Sequence, residues 1–233
     1  MQTDGFLLVD KPAGWTSHDV VAHVRKMSGI KKVGHGGTLD PMATGLLVIG
    51  LGKATKELER FVQGDKTYVA ETTLGATTAT DDAEGKVEPT PGFGDGSESA
   101  QPSQPEIESA LVEFEGELEQ LSPVYSAIKT GGKKAYVEAR KGRTVERKPR
   151  NVTIRSIDLL DYDWPQVRFR TTVSKGTYIR SIARDLGERL GTGGYLSALR
   201  REKVGDFDVK DAVGADVIDG PWSELAEKLI PLT

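Results

Sequence analysis

The 233-residue chain contains no cysteine. That excludes disulfides and thiolate-bound metals and suits a reducing compartment, so a cytoplasmic location is expected. Histidine is scarce too. His18, His23 and His35 are the three, and none falls in an H-E-x-x-H pattern. A zinc deaminase is thereby left without its ligand set. No apolar run approaches the ~20 residues that span a bilayer. The N-terminus has no basic segment leading into an apolar core, so neither a membrane span nor a signal peptide is expected. A G-x-S-x-G elbow is missing. The segment ending Gly52-Lys53 looks phosphate-like, but a P-loop requires Gly at 47 and Ser or Thr at 54, where Leu47 and Ala54 stand.

What is present is an ordinary globular composition, 37% hydrophobic and 28% charged, long enough for one large domain or two small ones. The formal net charge is -4, weak evidence against a non-specific nucleic-acid coat. Its distribution says more. From Lys129 to Arg155 the bases are Lys129, Lys133, Lys134, Arg140, Lys141, Arg143, Arg147, Lys148, Arg150 and Arg155, against only Glu138 and Glu146. Such a run is most often a solvated face; in an acidic chain it reads better as a localised RNA-backbone patch.

Hydrophobic periodicity and breakers sketch the elements. Gly5 to Val9 reads as a buried strand and Asp10 to Gly14 as a turn. A helix capped by Thr16 or Ser17 follows, with Val20, Val21, Val24 and Met27 on one face and Gly29 near its end. A second helix is expected over Ala54 to Val62 and a strand over Lys66 to Leu74. Pro89 to Pro105 has loop composition, and Pro105 leads into a helix bearing Ile107, Leu111 and Phe114. Gly131-Gly132 predicts a hairpin turn. Asn151 to Tyr162 and Val167 to Val173 read as strands, and Ile179, Ile182, Ala183, Leu186 and Leu190 mark an amphipathic helix. Strands and helices mix without strict βαβ alternation, which points to an α+β or mixed-sheet class.

The most informative stretch is Val33 to Lys56, V-G-H-G-G-T-L-D-P-M-A-T-G-L-L-V-I-G-L-G-K-A-T-K. Pro41 fixes its own φ and pushes Asp40 out of helical conformation. Asp40 is therefore expected on a stiff, non-helical loop feeding the apolar run Leu46 to Ile49. A lone Asp before Pro is usually a turn former. The whole stretch, however, resembles the G-H-x-G-x-L-D-P-x-A-x-G-x-L signature of the TruB family of tRNA pseudouridine synthases, matching at His35, Gly37, Leu39, Asp40, Pro41, Ala43, Gly45 and Leu47. D-K-P-x-G-x-T-S from Asp10, K-x-Y…L-G around Tyr68, P-x-Y-S-A-x-K ending at Lys129, S-K-G-T-Y-I-R-S from Ser174 and the L-R-R at Leu199 to Arg201 resemble further family motifs, in order. Thr77 to Gly85 matches the family's T-D-x-x-D-x-x-G loop only loosely.

The resemblance implies the pseudouridine synthase fold, a large central mixed sheet flanked by helices and loops with an RNA cleft across it. It implies a catalytic domain over 1–216 with an RNA-gripping insertion around 77–150. The tail 217–233 suffices for one short helix, so the PUA-type C-terminal domain of many bacterial members is expected to be absent or truncated. The implied reaction is isomerisation of uridine 55 in the tRNA T loop, with no cofactor, no metal and no obligate protein partner, by a monomeric chain whose substrate is the T arm of tRNA. Asp40 is implied as nucleophile, or as base in an elimination route, with Arg180 paired to it. Tyr68 is implied to stack on the uracil and to move a proton. Tyr178 would shape the pocket, Leu199 would wall it, and His35 would occupy the space of the extruded base or of a neighbouring nucleotide. Lys11 and Lys129 are support candidates; Lys133, Lys134, Arg140 and Lys141 belong to the phosphate patch. A tRNA-binding or RNA-folding protein without catalysis is the alternative. It would need Asp40, Tyr68 and Arg180 only incidentally.

Overall fold

The computed structural model describes residues 4–93, 101–125, 149–214 and 220–232, and the backbone of 129–130 and 133–134. Its principal strands form a mixed sheet of nine strands. The chain divides into two compact units, 1–69 with 199–233, and 70–198.

In the first unit, β1 (Gly5–Lys11) pairs antiparallel with β3 (Thr44–Leu51), in register from Gly5 opposite Leu51 to Lys11 opposite Gly45. β2 (Val33–His35) joins β3 antiparallel, and β12 (Gly194–Val204) joins it parallel through Arg200 opposite Thr44 and Arg201 opposite Gly45. The apolar run of β3 is continuous because both its faces are covered. Leu47, Ile49 and Leu51 meet Leu7, Val9 and the Val20, Val21, Val24 face of α1 (Ser17–Ser28). Leu46 and Val48 meet Phe6, Leu8, Ala54, Leu58 and Phe61.

Thr16 is the cap of α1. Asp19 N–H donates to its hydroxyl (3.1 Å), and Thr16 N–H donates back to the Asp19 carboxylate (2.8 Å). The two hydrogen bonds from Thr16 hold the Asp19 carboxyl below its usual range. Two expectations need correcting. β1 continues through Asp10 and Lys11, where a turn was expected, because both pair with β3, opposite Leu46 and Gly45. The Ala54 to Val62 helix is two pieces, a 3₁₀ segment Gly52–Glu57 and α2 (Leu58–Gln63).

The second unit is built on an antiparallel meander. β10 (Pro149–Asp163) pairs with β11 (Gln166–Val173) and, on its other edge, with β7 (Gly116–Leu121). β4 (Lys66–Leu74) enters this unit at Ala70, where Leu74 N–H donates to the Pro165 carbonyl. Helix α3 (Gln104–Val112) packs on β10 through its Ile107 and Leu111 side. Helix α4 (Ile179–Arg189) buries Ile179, Ile182, Ala183 and Leu186. Short hairpins are formed by β5 (Ala76–Thr78) with β6 (Val87–Pro89), and by β8 (Lys129–Thr130) with β9 (Lys133–Lys134). The chain closes with β13 (Phe207–Asp208), antiparallel to β12, and α5 (Trp222–Glu227).

Candidate active site

Asp40 lies, as its Pro neighbour requires, on a non-helical loop between β2 and β3, half-buried. The loop is tied at nearly every step. Gly36 N–H donates to the Val48 carbonyl (2.8 Å). Leu39 N–H donates to the Ser17 hydroxyl (2.8 Å), and that hydroxyl lies 3.2 Å from the Leu39 carbonyl it can donate to. Ala43 N–H closes a turn on the Asp40 carbonyl (3.1 Å). The Pro41 carbonyl accepts from Gly14 N–H (2.9 Å) and from the Lys11 ammonium (3.2 Å). Lys11 is fully buried and also donates to the Trp15 (2.6 Å) and Pro12 (2.9 Å) carbonyls. Its role is to hold the D-K-P-A-G segment against the residue that follows Asp40. Buried cations are costly unless so satisfied.

His35 ends β2. Gly37 N–H points at its Nδ1 (3.4 Å), which leaves Nε2 to carry the proton of the neutral ring. Burial, reinforced by the nearby Arg201 and His18 charges, pushes the imidazole below its ordinary value. Leu199, on β12, is buried. Tyr68, on β4, is 9% exposed and shares a strand face with Lys66, Ala70 and Thr72. Asp40, His35, Lys11, Tyr68 and Leu199 all belong to the first unit.

Tyr178 and Arg180 belong to the second. Tyr178 caps α4 without a side-chain capping bond. Its main chain is clasped by the buried amide of Gln120 on β7, which accepts from Tyr178 N–H (2.8 Å) and donates to the Tyr178 carbonyl (3.1 Å). One turn into the same docking, Ser181 donates to the Leu121 carbonyl (2.8 Å). The helix start is thus fixed to the end of β7, and Arg180 with it. Arg180 Nη1 pairs with Asp82 (3.1 Å); the two side chains are 6% and 2% exposed. Nη1 also reaches the Thr80 carbonyl and Nη2 the Tyr125 carbonyl, both at 3.2 Å. The guanidinium lies 6.0 Å from the Tyr178 ring centre. Asp82 is held in turn by the Thr80 hydroxyl (2.6 Å) and Glu84 N–H (3.1 Å). Its neighbour Asp81 has φ of 60°, and its carboxylate pairs with Arg184 (2.9 Å).

Sequence reading gave no role to Asp82, Gln120 or Arg201, and took Ser17 only as a candidate helix cap. Ser17 and Arg201 stood inside motifs already quoted, and Asp82 inside the loosely matched loop; Gln120 carried no signal. The strand pairing of Lys129, Lys133 and Lys134 is described but their side chains are not, and Arg140 and Lys141 lie outside the described residues. Among the described residues no group of three or more His, Asp or Glu could hold a metal ion, and no helix is long and apolar enough to cross a membrane.

The mixed sheet with a pinned Asp-Pro loop defines the pseudouridine synthase fold. Residues 25–179 match the model for the TruB family pseudouridylate synthase N-terminal domain, and 180–230 that for the tRNA pseudouridylate synthase B C-terminal domain. The chain therefore belongs to the TruB family and is an isomerase of the pseudouridine synthase class. It is 44% identical to the tRNA pseudouridine synthase B of Opitutus terrae, covering 99% of this chain and 94% of that one. Similarity to the enzyme of the same name from Thermobifida fusca is 47% identity over 95% of this chain and 76% of the other. Among solved structures, one chain of a Cbf5-Nop10-Gar1 complex superposes with a TM-score of 0.74 at 30% identity, over 97% of this chain and 60% of its own length.

Proposed function

We propose that the protein isomerises uridine 55 in the T loop of tRNA to pseudouridine, with Asp40 as the reacting carboxylate. The observation that supports this most is the Asp40 loop, whose main chain is held from Gly36 to Leu46 with Asp40 itself half-buried. Pre-fixed geometry of this kind lowers the entropic part of a barrier. The curated tRNA pseudouridine synthases B that the chain matches nearly end to end support tRNA as the substrate.

In the reaction the N1–C1′ bond breaks and a C5–C1′ bond forms. N1 gains a proton and C5 loses one, so no electron or group donor is needed. The loop geometry serves either route: the Asp40 oxygen attacks C1′ and is displaced when C5 bonds there, or it takes the C2′ proton and returns it. Uridine must leave its stack to reach the carboxylate, at a cost of a few kcal/mol. A positive charge favours the ionised form of Asp40, the role proposed for Arg180. Tyr68 stacks on the uracil and shuttles the C5 or C2′ proton. Tyr178 takes the family's pocket-shaping role and Leu199 that of an apolar wall, and neutral His35 occupies the space of the extruded base or of a neighbouring nucleotide. Lys129, Lys133, Lys134, Arg140 and Lys141 contact phosphates, within an insertion at about 77–150 of a catalytic domain over 1–216.

Incubating the protein with an unmodified tRNA transcript and mapping pseudouridine along it tests this. Modification confined to the T-loop uridine is expected. Modification elsewhere, or binding without modification, would overturn the assignment.

A further inference from the structure

Arg200 and Arg201 are adjacent on β12 yet differently housed. Arg200 makes a bidentate pair with Asp10 (3.0 and 2.7 Å) on a partly exposed surface. Arg201 is 1% exposed, the bulkiest of the fully buried side chains. Among the described residues it has no carboxylate within ion-pair reach. Its guanidinium is satisfied by main-chain carbonyls alone: Nε donates to Leu46 (2.7 Å), Nη2 to Gly37 (3.1 Å) and Nη1 to Thr38 (3.5 Å).

A buried cation facing only carbonyl dipoles is a poor way to gain stability, since desolvation outweighs what neutral acceptors return. An apolar side chain would fill the same space more cheaply. What Arg alone supplies is a rigid planar fork with donors on several edges. Here the fork spans the two legs of one loop. Gly37 and Thr38 precede Asp40, and Leu46 follows it on β3. The strand bearing Arg201 is locked to that loop as well. Arg201 lies opposite Gly45, and a Cβ at Gly45 would lie 2.3 Å from the Arg201 carbonyl oxygen. With φ of 102°, position 45 is doubly restricted to glycine.

We propose that Arg201 is a positioning residue for catalysis, a buried clamp that fixes the Asp40 loop by tying its two legs to β12. The clamp rests on the reading of Asp40 as the reacting carboxylate. It acts through the loop and touches no substrate. Its charge has a second consequence, because His35 on the same loop is held neutral partly by it.

Arg201→Lys keeps a buried cation but cannot bridge both legs; Arg201→Met removes charge and bridge together. Each is compared with wild type by thermal melting, tRNA affinity, single-turnover rate and NMR titration of His35, with Asp40→Asn as reference. With the clamp, Arg201→Lys binds tRNA within about threefold of wild type while its single-turnover rate falls about 10- to 100-fold, the scale of a small misplacement of a catalytic group. In Arg201→Met the rate falls at least as far and the His35 titration moves upward. Where Arg201→Met does not fold, Arg201→Lys carries the test. A folded Arg201→Lys with wild-type rate, or one whose rate and affinity fall together, overturns the clamp. Activity in Asp40→Asn would instead overturn the catalytic reading, whatever Arg201 does.

Discussion

The Asp40 loop is tied through its main chain, whereas Arg180 is tied through its side chain. Around Asp40, the partners of Ser17, Lys11 and Arg201 are carbonyls and amides of residues 37–46. Around Arg180, the ion pair with Asp82 engages the functional guanidinium itself. The difference sets what mutation can separate. A loop held by its backbone tolerates a change of the side chain it carries, so chemistry can be removed while the scaffold stays. A side chain that is both tool and tether cannot be altered without disturbing both.

The largest effect should come from cutting the tether. Asp82→Ala removes the carboxylate that lies 3.1 Å from the buried Arg180 guanidinium, and loss of one partner of a buried pair costs about 3–5 kcal/mol. Urea unfolding is expected to show that loss together with a fall in turnover, whereas Asp40→Asn should unfold close to wild type. Equal stability of the two variants would erase the contrast.

Tyr68 comes next. Base–aromatic stacking is worth about 1–3 kcal/mol by alanine substitution. Tyr68→Leu should therefore weaken tRNA binding and turnover. Tyr68→Phe keeps the ring and isolates the hydroxyl. Normal binding with a rate lower by about 100-fold or more would assign it proton transfer. Wild-type behaviour of the Leu variant would make Tyr68 a packing residue of β4.

How much of this was legible in the sequence follows the same division. Local rules sufficed for α1, where Thr16 and Asp19 form the cap and Gly29 the stop, for β11, whose Val167, Phe169, Thr171 and Val173 alternate onto its buried face, and for the extents of β4 and most of β10. The stiff loop at Asp40 was legible because Pro41 and the apolar run of β3 act within a few residues, while the role of Asp40 itself was read only from the resemblance to the family motif. The Lys11 and Arg201 clamps were not, since they depend on carbonyls 30 and up to 164 positions away. Propensity also ran one helix from Ala54 to Val62, whereas its first residues belong to the 3₁₀ segment Gly52–Glu57; both Leu58 and the Ala54 carbonyl lie against Gly50 of β3. Asp82 escaped because one carboxylate in an acidic loop looks like any other until Arg180 reaches it.

A smaller effect is expected from the basic run. Replacing Lys133, Lys134 and Lys141 together should lower the salt slope of tRNA binding by about one unit per lost phosphate contact. An unchanged slope would mean a solvated face.

The smallest concerns His35. Its folded-state pKa lies below the ordinary value of 6.5 because of burial and Arg201. As pH falls below that value the unfolded chain takes up a proton that the folded chain refuses. This group's contribution is therefore complete above about pH 6.5 and declines as pH drops toward its folded pKa. NMR titration should place the His35 midpoint below 6.5. A midpoint at or above 6.5 would contradict the half-buried, neutral ring.

The most direct measurement is single-turnover conversion of a tRNA transcript carrying tritium at uridine C5, by wild type and by Asp40→Asn, with tRNA affinity determined in parallel. Bonding C5 to C1′ must expel the C5 hydrogen, so tritium released to water counts isomerisation. The predicted result is release from the T-loop uridine by wild type, none above background by Asp40→Asn, and tRNA binding by the variant within a few-fold of wild type. Release by Asp40→Asn at a rate near wild type would contradict the assignment of Asp40 as the reacting group.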